Sequence, residues 1–343
     1  MTGIAIGDFS GDPDEWDRFV RSCPGWSYCH LFGWRAVIER TFGHECVFLE
    51  ARGADGALAG VLPLVRVKSR LFGHFLVSMP YVNYGGPLGG ADAVGALAAH
   101  AADLARDSGA DLLELRSRRP LELGLAVSRR KITVTLSLPL EGSELLWESL
   151  KAKVRSQVRR PGKEGVEARF GHDTATDFYT VFARNMRDLG TPVMPRTFFE
   201  GIADVFGEDV WFGCAYLGGR PVAAGAGFRW DDEFEMTWAS SLKECNRIAA
   251  NMLLYWSFME RCVEQGMKTF NFGRCTPGSG THRFKQQWGG ADEQLWWYQW
   301  SPKGIVTTPS AENGAYGLTR RVWRVLPVGL TRLLGPAIVS RIP

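Results

Sequence analysis

The pattern of apolar and polar positions along the chain predicts the same order of elements twice. Apolar residues at helical spacing alternate with short runs of strand character, and turns rich in Gly, Asp and Pro separate them. In the first half the predicted elements are helices at 13–22 and 31–41, strands at 46–52, 57–67 and 75–84, a helix at 91–107, and strands at 111–117 and 132–138. In the second half they are helices at 175–188 and 196–206, strands at 209–217, 220–230 and 233–240, a helix at 247–265, and strands at 268–273 and 293–300.

This repeated order predicts an α/β (α+β) protein of two tandem domains, each a mixed, mostly antiparallel sheet flanked by helices. The strand–helix–strand step gives each sheet one parallel pair, where a ligand can enter between strand ends. The halves share element order and no convincing residue identity, so the repeat is an argument from order alone. The order resembles the GNAT acyltransferase fold in tandem. The predicted boundaries are 1–145 for domain 1, 146–165 for a basic linker helix, 166–301 for domain 2 and 302–343 for a basic, apolar C-terminal arm.

Composition narrows the class of protein. The 343 residues are 45% hydrophobic and 22% charged, and the net charge of +3 creates no strong field that would draw DNA to the whole surface. The seven cysteines have no C-x-x-C spacing, which favours reduced thiols in a cytoplasmic protein. The six histidines lack any metal-ligand spacing, so we predict no metal. We find neither a signal-peptide pattern nor an apolar run long enough to span a membrane.

The most informative stretch is residues 270–289, FNFGRCTPGSGTHRFKQQWG. An apolar strand leads into a Gly-rich loop and then a short basic helix, an arrangement that collects backbone N–H groups and binds anions. Lys285 is the predicted catalytic residue, with its ammonium free to stabilise a phosphate or a developing oxyanion. The predicted anion-binding residues around it are Arg274, Gly280, Thr281 and Arg283. The alternative is an ordinary loop before a solvated basic helix.

Several segments together resemble the FemAB-like peptidyltransferase superfamily, and more closely its subgroup associated with exosortase/PEP-CTERM and exopolysaccharide gene clusters. The resemblance covers essentially the whole chain, and its most specific part is the G-T-x-x-F-K-x-x-W-G portion of residues 270–289. The other segments that carry it are GVLPLVRVKSRLFG (60–73), PYVNYGGPL (80–88), LKAKVRSQVRR (150–160), AANMLLYWSFMERCVEQG (249–266) and VWRVLPVGLTRLLGP (322–336).

The resemblance implies a tandem-GNAT transferase that moves an acyl or aminoacyl group onto an amine or hydroxyl of a cell-envelope or exopolysaccharide precursor. It implies no permanently bound cofactor, and acyl-CoA or aminoacyl-tRNA as candidate donor substrates. Two departures from the family pattern matter. Pro161 should end the basic helix early. The usual acyl-CoA loop contains glycine, whereas Arg247–Asn251 contains none, which disfavours close approach of a pyrophosphate in the second domain.

Other candidate binding residues lie outside that stretch. Arg155 and Arg159 are four residues apart on the predicted linker helix and so share a face suited to phosphate groups; a solvated linker helix is the alternative. Asn83 and Tyr84 would orient the acceptor by hydrogen bonds, or they are ordinary turn residues. Trp238 and Asn251 stand at the equivalent strand end and helix start of the second half.

Two features stay open at the level of sequence. Glu235, Asp232 and His282 are candidate general bases, and no spacing selects one of them. Residues 318–343 carry several arginines and no acidic side chain. This segment would contact an anionic membrane at its inner face or pack across the domains as an arm.

The sequence therefore predicts a cytoplasmic acyltransferase that binds a phosphate-bearing donor and an envelope or glycan precursor as acceptor. The alternative is a non-catalytic glycan- or lipid-carrier-binding or scaffold protein of an exopolysaccharide or protein-sorting system. RNA binding without transfer is a third class, which the low net charge weakens.

Overall fold

The computed structural model describes residues 3–304 and 317–342. Its strands are β1 (Ala5–Asp8), β2 (Glu45–Arg52), β3 (Leu58–Ser69), β4 (Gly73–Ser78), β5 (Leu88–Gly89), β6 (Leu112–Ser117), β7 (Ala126–Ser128), β8 (Ile132–Ser137), β9 (Val166–Phe170), β10 (Val210–Leu217), β11 (Arg220–Trp230), β12 (Glu233–Ser241), β13 (Thr269–Cys275), β14 (Ala291–Gln294) and β15 (Trp296–Trp300). Its helices are α1 (Pro13–Ser22), α2 (Trp34–Phe42), α3 (Ala91–Asp107), α4 (Ser143–Ser149), α5 (Ala152–Lys163), α6 (Ala175–Leu189), α7 (Arg196–Phe206), α8 (Ala250–Glu264), α9 (Gly280–Gln286), α10 (Gly317–Val325) and α11 (Val328–Val339).

Local sequence explains where several helices begin and end. The side chain of Asp12 accepts a hydrogen bond from the backbone N–H of Asp14 at 2.9 Å, and Pro13 occupies the first helical position of α1. Helices α2 and α6 both end at a glycine with left-handed backbone, Gly43 and Gly190. The predicted bounds of α1, α3 and α7 are confirmed.

The described residues form two compact units. The first comprises residues 3–131, 294–304 and 338–342, and the second comprises residues 132–293 and 317–337. Each unit has one mixed sheet flanked by helices, as the repeated pattern predicts.

The first unit has the strand order β1-β2-β3-β4-β6-β15-β7, with β5 paired to β3. Strands β4 and β6 are parallel and are joined through α3, and the other recorded pairs are antiparallel. Alanines and leucines of α3 pack on one face of this sheet against Leu64, Leu76 and Leu113. Small alanines let the helix lie close to the strands, which explains the Ala-rich sequence of α3.

The second unit has the strand order β14-β8-β13-β12-β11-β10-β9. Strands β12 and β13 are parallel and are joined through α8. Aromatic side chains fill both faces: Phe198 and Phe199 of α7 contact Trp238, and Phe258 of α8 contacts Phe234. These edge-to-face and stacked contacts account for part of the high aromatic content.

Two strands do not belong to the sheet that their position in the chain suggests. The predicted strand at 132–138 appears as β8 and pairs with β13 of the second sheet. The predicted strand at 293–300 is divided at Leu295 into β14 and β15, and β15 pairs with β6 of the first sheet. The two units therefore differ from the sequence-based division at 1–145 and 166–301, because pairing partners decide the sheet and linear position does not.

The predicted strand at 75–84 ends earlier, at Ser78. Met79 and Tyr81 have positive φ angles of 51° and 73°, a left-handed conformation that a strand cannot contain. Residues 79–87 consequently form a loop rather than the strand end on which Asn83 and Tyr84 were placed.

The prediction that Pro161 ends the basic helix is wrong. Helix α5 continues to Lys163 with Pro161 inside its last turn. A proline there removes one N–H, while Glu164 N still donates to the carbonyl of Pro161 at 3.0 Å and Gly165 N to that of Gly162 at 3.1 Å. The lost hydrogen bond is thus confined to a turn that is already tightening.

The C-terminal arm contains α10 and α11, and residues 305–316 of the predicted arm lie outside the described residues. Both helices are short, as the glycines and prolines of this segment predict. None of the helices in the described ranges combines the length and apolar character needed to cross a bilayer.

Candidate active site

A β-bulge in the second unit separates two strands that begin as neighbours. The parallel pairing of β12 with β13 runs only from Glu233↔Thr269 to Glu235↔Asn271. On the other edge, the register of β12 with β11 shifts, so that two residues of β12 lie opposite Gly227. A Cβ atom at Gly227 would collide with the carbonyl oxygen of Glu235, so this position needs glycine. Strand β12 bends here, and its recorded pairing with β13 stops.

Glu235 is the last residue of β12 before the bulge, and its side chain is fully buried. One carboxylate oxygen accepts a hydrogen bond from the hydroxyl of Thr237 at 3.2 Å. A buried carboxylate at the point where two strands diverge is suited to accept a proton from a bound substrate. Of the three candidate bases, Glu235 alone lies at the bulge on a buried side chain.

The other two candidates have structural partners. Asp232 forms an exposed ion pair with Lys268 at 2.9 Å. His282 accepts the backbone N–H of Gly278 on Nδ1 at 3.0 Å, and its Nε2 lies 3.0 Å from both carboxylate oxygens of Asp292. Both ring nitrogens of His282 are therefore engaged, Nδ1 with the Gly-rich loop and Nε2 with Asp292 of β14.

Lys285 is buried, which differs from the sequence-based expectation of a free ammonium group. Its Nζ donates to the carbonyl oxygens of Gly273 at 2.6 Å and Arg274 at 3.0 Å. Gly273 has a φ of 73°, and the pairing of β13 with β8 shifts register at this glycine. Lys285 thus supports an irregular stretch of β13 just beyond its pairing with β12. The catalytic role of Lys285 stays a prediction.

Burial lowers the pKa of Lys285 to about 8, and nearby Cys275 and Glu235 oppose that shift. The carboxylate of Glu235 is thus one of the charges that act on the pKa of Lys285. The second unit therefore has a buried carboxylate, that of Glu235, and a buried amine, that of Lys285, next to the diverging strands. Opposed charges in such a low-dielectric place interact strongly.

Asn271 fixes the backbone between these two residues. Its amide nitrogen donates to Glu233 at 2.7 Å, and its amide oxygen accepts the N–H of Gly273 at 2.8 Å and the hydroxyl of Thr133. The side chain is fully buried. These bonds hold β13 in place where its pairing with β12 ends.

The predicted anion-binding residues within the segment 270–289 are all exposed. They are Arg274, Gly280, Thr281 and Arg283. Helix α9 begins after Ser279, whose hydroxyl accepts the backbone N–H of His282 at 3.1 Å. The structure therefore brings this set together at one loop and helix, with cationic side chains outside and Lys285 inside.

Trp238 and Asn251 have different surroundings. Trp238 is buried against Phe198 and Phe199 at ring distances of 5.9 and 5.2 Å, so it packs in the core of the second unit. Asn251 is half-buried in the first turn of α8. The structure thus gives Trp238 a packing role and leaves Asn251 as a candidate near the start of α8.

A basic groove follows one face of α5. Its volume is about 470 Å³, and the residues that line it are Ala152, Arg155, Ser156, Arg159, Arg160, Lys163 and Glu164. None of its four cations pairs with a carboxylate elsewhere in the described ranges. Unneutralised guanidinium groups on one helix face are suited to bind phosphate oxygens.

Contacts within the second unit hold the three guanidinium groups of this groove in position. The Arg159 guanidinium stacks on the ring of Trp147 at 4.9 Å, and Arg155 donates to the carbonyl of Glu148 at 3.0 Å. Arg160 donates to the carbonyl of Arg247 at 3.1 Å. The last bond places the groove beside the glycine-free loop that precedes α8.

That loop adopts a left-handed turn without glycine. Ala249, the residue before α8, has a φ of 61° and a ψ of 37°. A non-glycine residue in this region is strained by about 1 kcal/mol, and such strain clusters at functional sites. The backbone of Arg247–Asn251 therefore takes a conformation that its sequence does not favour. Sequence reasoning missed this left-handed turn, whereas Arg160 and Lys163 belong to the basic run at 151–163 that the sequence offers for phosphate binding.

The equivalent place in the first unit is filled by its own side chains. Asn83 and Tyr84 are buried there, and the Arg118 guanidinium lies 5.2 Å from the ring of Tyr84. Buried Arg116 pairs with buried Glu114 at 2.8 Å and donates to the carbonyl of Val82 at 3.1 Å. The loop at 79–87 is thus pinned, and Asn83 and Tyr84 belong to the first unit while the other predicted site residues belong to the second.

The residues described by the structure include no group of three or more His, Cys, Asp or Glu side chains arranged to hold a metal ion.

One family model matches part of the second unit in sequence. The family model of the acetyltransferase (GNAT) domain matches residues 148–286, which contain α5, the bulge and α9. A search of curated proteins found no match in sequence.

Solved structures share the fold over most of the chain. The crystal structure of FemX has a TM-score of 0.63 at 15% identity and covers 92% of this chain and 100% of that one. The C-terminal domain of a putative lysylphosphatidylglycerol synthetase from Agrobacterium fabrum has a TM-score of 0.55 at 12% identity, covering 90% and 93%. A tandem GNAT protein from the clavulanic acid biosynthesis pathway has a TM-score of 0.53 at 12% identity, covering 89% and 99%. The chain therefore has a tandem GNAT-like fold.

Proposed function

We propose that this protein is an acyltransferase that moves an acyl or aminoacyl group from a phosphate-bearing donor to an amine or hydroxyl of a cell-envelope or exopolysaccharide precursor. The bulge opposite Gly227 is the observation that carries the proposal. It lies in the segment that matches the GNAT acetyltransferase model, where the recorded pairing between the edges of β12 and β13 ends. Such edges can pair with the amide groups of an extended donor.

The basic groove of α5 would bind the phosphates of the donor. Arg155, Arg159 and Arg160 line it, and Arg160 links it to the loop before α8. Donor phosphates would lie at the groove and the acyl group would reach the bulge. Acyl-CoA and aminoacyl-tRNA both carry phosphates, and the left-handed turn at Ala249 supports a donor site despite the absence of glycine.

The transfer itself needs one proton acceptor. The amine or hydroxyl of the acceptor attacks the carbonyl carbon of the donor, a new C–N or C–O bond forms, and the bond to the donor's sulfur or oxygen breaks. Glu235 takes the proton from the attacking group, and this proton then passes to the leaving group. Lys285 supports the backbone of Gly273 and Arg274, and its positive charge balances the charge of Glu235.

The acceptor class is inferred from two similarities. The segment FNFGRCTPGSGTHRFKQQWG resembles the FemAB-like subgroup associated with exosortase/PEP-CTERM systems. One structure with the same fold is named for lysylphosphatidylglycerol, an aminoacylated lipid. Both favour an envelope component as acceptor over a soluble metabolite.

Discharge of labelled donors tests the proposal. Acyl-CoAs and aminoacyl-tRNAs are incubated with the protein and an extract of envelope lipids and glycans, and transfer is followed by mass spectrometry. We expect one donor class to be discharged, and Glu235→Gln to slow transfer by about 100-fold or more at temperatures where the variant is folded, because the isosteric amide cannot accept the proton.

Glu264→Gln serves as the control, since Glu264 is an exposed carboxylate at the end of α8. It should transfer at the native rate. If the protein binds an envelope precursor but discharges no donor, the scaffold alternative replaces the enzyme.

A further inference from the structure

The outer face of α11 carries an apolar stripe. Leu330, Leu333, Leu334 and Ala337 follow the spacing of one helix face. The three leucines are 38, 74 and 42% exposed, and Ala337 is exposed as well. Isolated exposed leucines are common, but an exposed stripe at this spacing marks a face that binds something apolar.

Helix α10 carries two further exposed apolar side chains and adds positive charge. Val322 and Val325 are 52 and 80% exposed, and Arg321 and Arg324 are exposed beside them. Residues 317–342 contain no aspartate or glutamate. The exposed face therefore combines apolar side chains with charged side chains that are all positive.

The opposite faces of both helices are fastened to the second unit. Trp323, Thr331 and Gly335 are buried. A Cβ atom at Gly335 would lie 2.8 Å from the backbone nitrogen of Val193, so α11 approaches closely there. Arg187 also donates to the carbonyl of Leu326 at 3.0 Å. The apolar stripe cannot turn inward without breaking these contacts.

We infer that α10 and α11 dock on a membrane surface that contains anionic phospholipids. Short helices with an apolar face and flanking arginines lie in the plane of the interface, where the side chains of Leu and Val enter the acyl boundary and the guanidinium groups meet phosphate headgroups. The absence of acidic side chains at 317–342 is complementary to a negative surface and removes the repulsion that would oppose it. This inference stands independently of the transfer reaction.

Flotation of the full-length protein with vesicles tests the inference. We expect binding to vesicles of phosphatidylcholine with phosphatidylglycerol, weaker binding to phosphatidylcholine alone, and partial release by salt. Leu333→Ser should weaken binding to both vesicles by about tenfold or more, because its apolar side chain no longer enters the lipid. Arg321→Gln should weaken binding to the anionic vesicles by about fivefold, the factor that matches ~1 kcal/mol per cation at such a surface.

The turn between β3 and β4 offers matched controls. Leu71 is 80% exposed and Arg70 is exposed next to it, but neither belongs to an apolar helix face. Leu71→Ser and Arg70→Gln should leave vesicle binding unchanged. All four variants change solvent-facing residues, and thermal melts confirm that they fold.

Three results would overturn the inference. The first is absence of flotation with anionic vesicles, and the second is equal loss of binding in the control variants. The third is a dimer by light scattering that Leu333→Ser dissociates, without vesicle binding, which would show that a second copy of the chain covers the stripe.

Discussion

The two units have equivalent strand orders around one parallel pair, yet they differ at the point where that pair ends. In the first unit, β4 pairs with β3 in regular register and stops at Ser78. In the second, β12 passes through a bulge and continues to Ser241. The first unit fills the place beyond with its own loop, whereas the second leaves two strands diverging.

Buried charges follow the same contrast. Arg116 and Glu114 of the first unit bind each other directly, and Gln299 donates to Glu114 at 2.7 Å. Lys285 and Glu235 of the second unit interact through their charges, while Lys285 hydrogen-bonds to backbone carbonyls. A directly paired network such as that of Arg116 and Glu114 stabilises a loop. A carboxylate and an amine without a direct ion pair, such as Glu235 and Lys285, can instead interact with a bound substrate. Under the proposed function, the second unit would therefore carry the chemistry and the first would support the fold.

The largest expected effect comes from breaking the charged network of the first unit. Arg116→Met leaves Glu114 buried without its cation, so the free energy of unfolding should fall by about 3–5 kcal/mol. Urea denaturation measures this loss. Below the melting temperature, the proposed function predicts a transfer rate near the native value, because Glu235 and the groove of α5 lie in the second unit.

Two further variants sharpen that result. Arg169→Met removes an exposed ion pair with Glu167 and should cost about 0–1 kcal/mol. Adding Glu114→Gln to Arg116→Met should restore part of the stability, since no buried charge then stands alone. Loss of transfer without loss of stability in Arg116→Met would reverse the assignment of roles to the two units.

Lys285→Met should have a smaller effect on stability, of about 1–3 kcal/mol, because two carbonyl groups lose their donor. The pKa of Lys285 is about 8 in the folded protein against an ordinary value of 10.5. Between these values the unfolded chain keeps a proton that the folded protein has released. Raising the pH through this window therefore favours the folded state. The stability of the native protein relative to Lys285→Met should increase from pH 8 to 10.5, as measured by urea denaturation.

Lys268→Met is the control for that experiment. Lys268 is 61% exposed and pairs with Asp232, so its removal should leave both stability and pH dependence nearly unchanged. A pH-independent difference between native protein and Lys285→Met would show that the Lys285 amine is not shifted by burial.

Much of the fold could be predicted from sequence because each element carries its own periodic signal. The Ala-rich run of α3 and the Asp12–Pro13 start of α1 fix those helices locally. The exchange of β8 and β15 between sheets could not be predicted, because strand pairing depends on partners far away in sequence. Strand β4 ends early because Met79 and Tyr81 adopt left-handed backbone conformations. Glycine usually marks such positions in a sequence, and neither residue is a glycine.

The candidate site was predictable only in part. Residues 270–289 were selected by their Gly-rich loop and cations, but burial of Lys285 follows from tertiary packing that periodicity does not reveal. Glu235 is one of three candidate bases in the sequence, and the bulge distinguishes it from the other two. The sequence indicates this bulge only through Gly227, a glycine inside a predicted strand. A glycine in a strand interior was the signal that could have located the site.

The smallest expected effect tests whether phosphate binding belongs to the second unit alone. Arg159→Gln should weaken binding of a phosphate-bearing donor by about tenfold, because a charge-assisted hydrogen bond contributes ~1.5 kcal/mol or more. Calorimetric titration of the donor measures the change, and stability should be nearly unaffected. Lys153→Gln changes an exposed cation of the same helix that does not line the groove, so it separates a specific contact from the general charge of α5. Equal weakening in both variants would mean that the helix attracts phosphates only through its overall charge, and the contrast between the two units would then rest on the bulge alone.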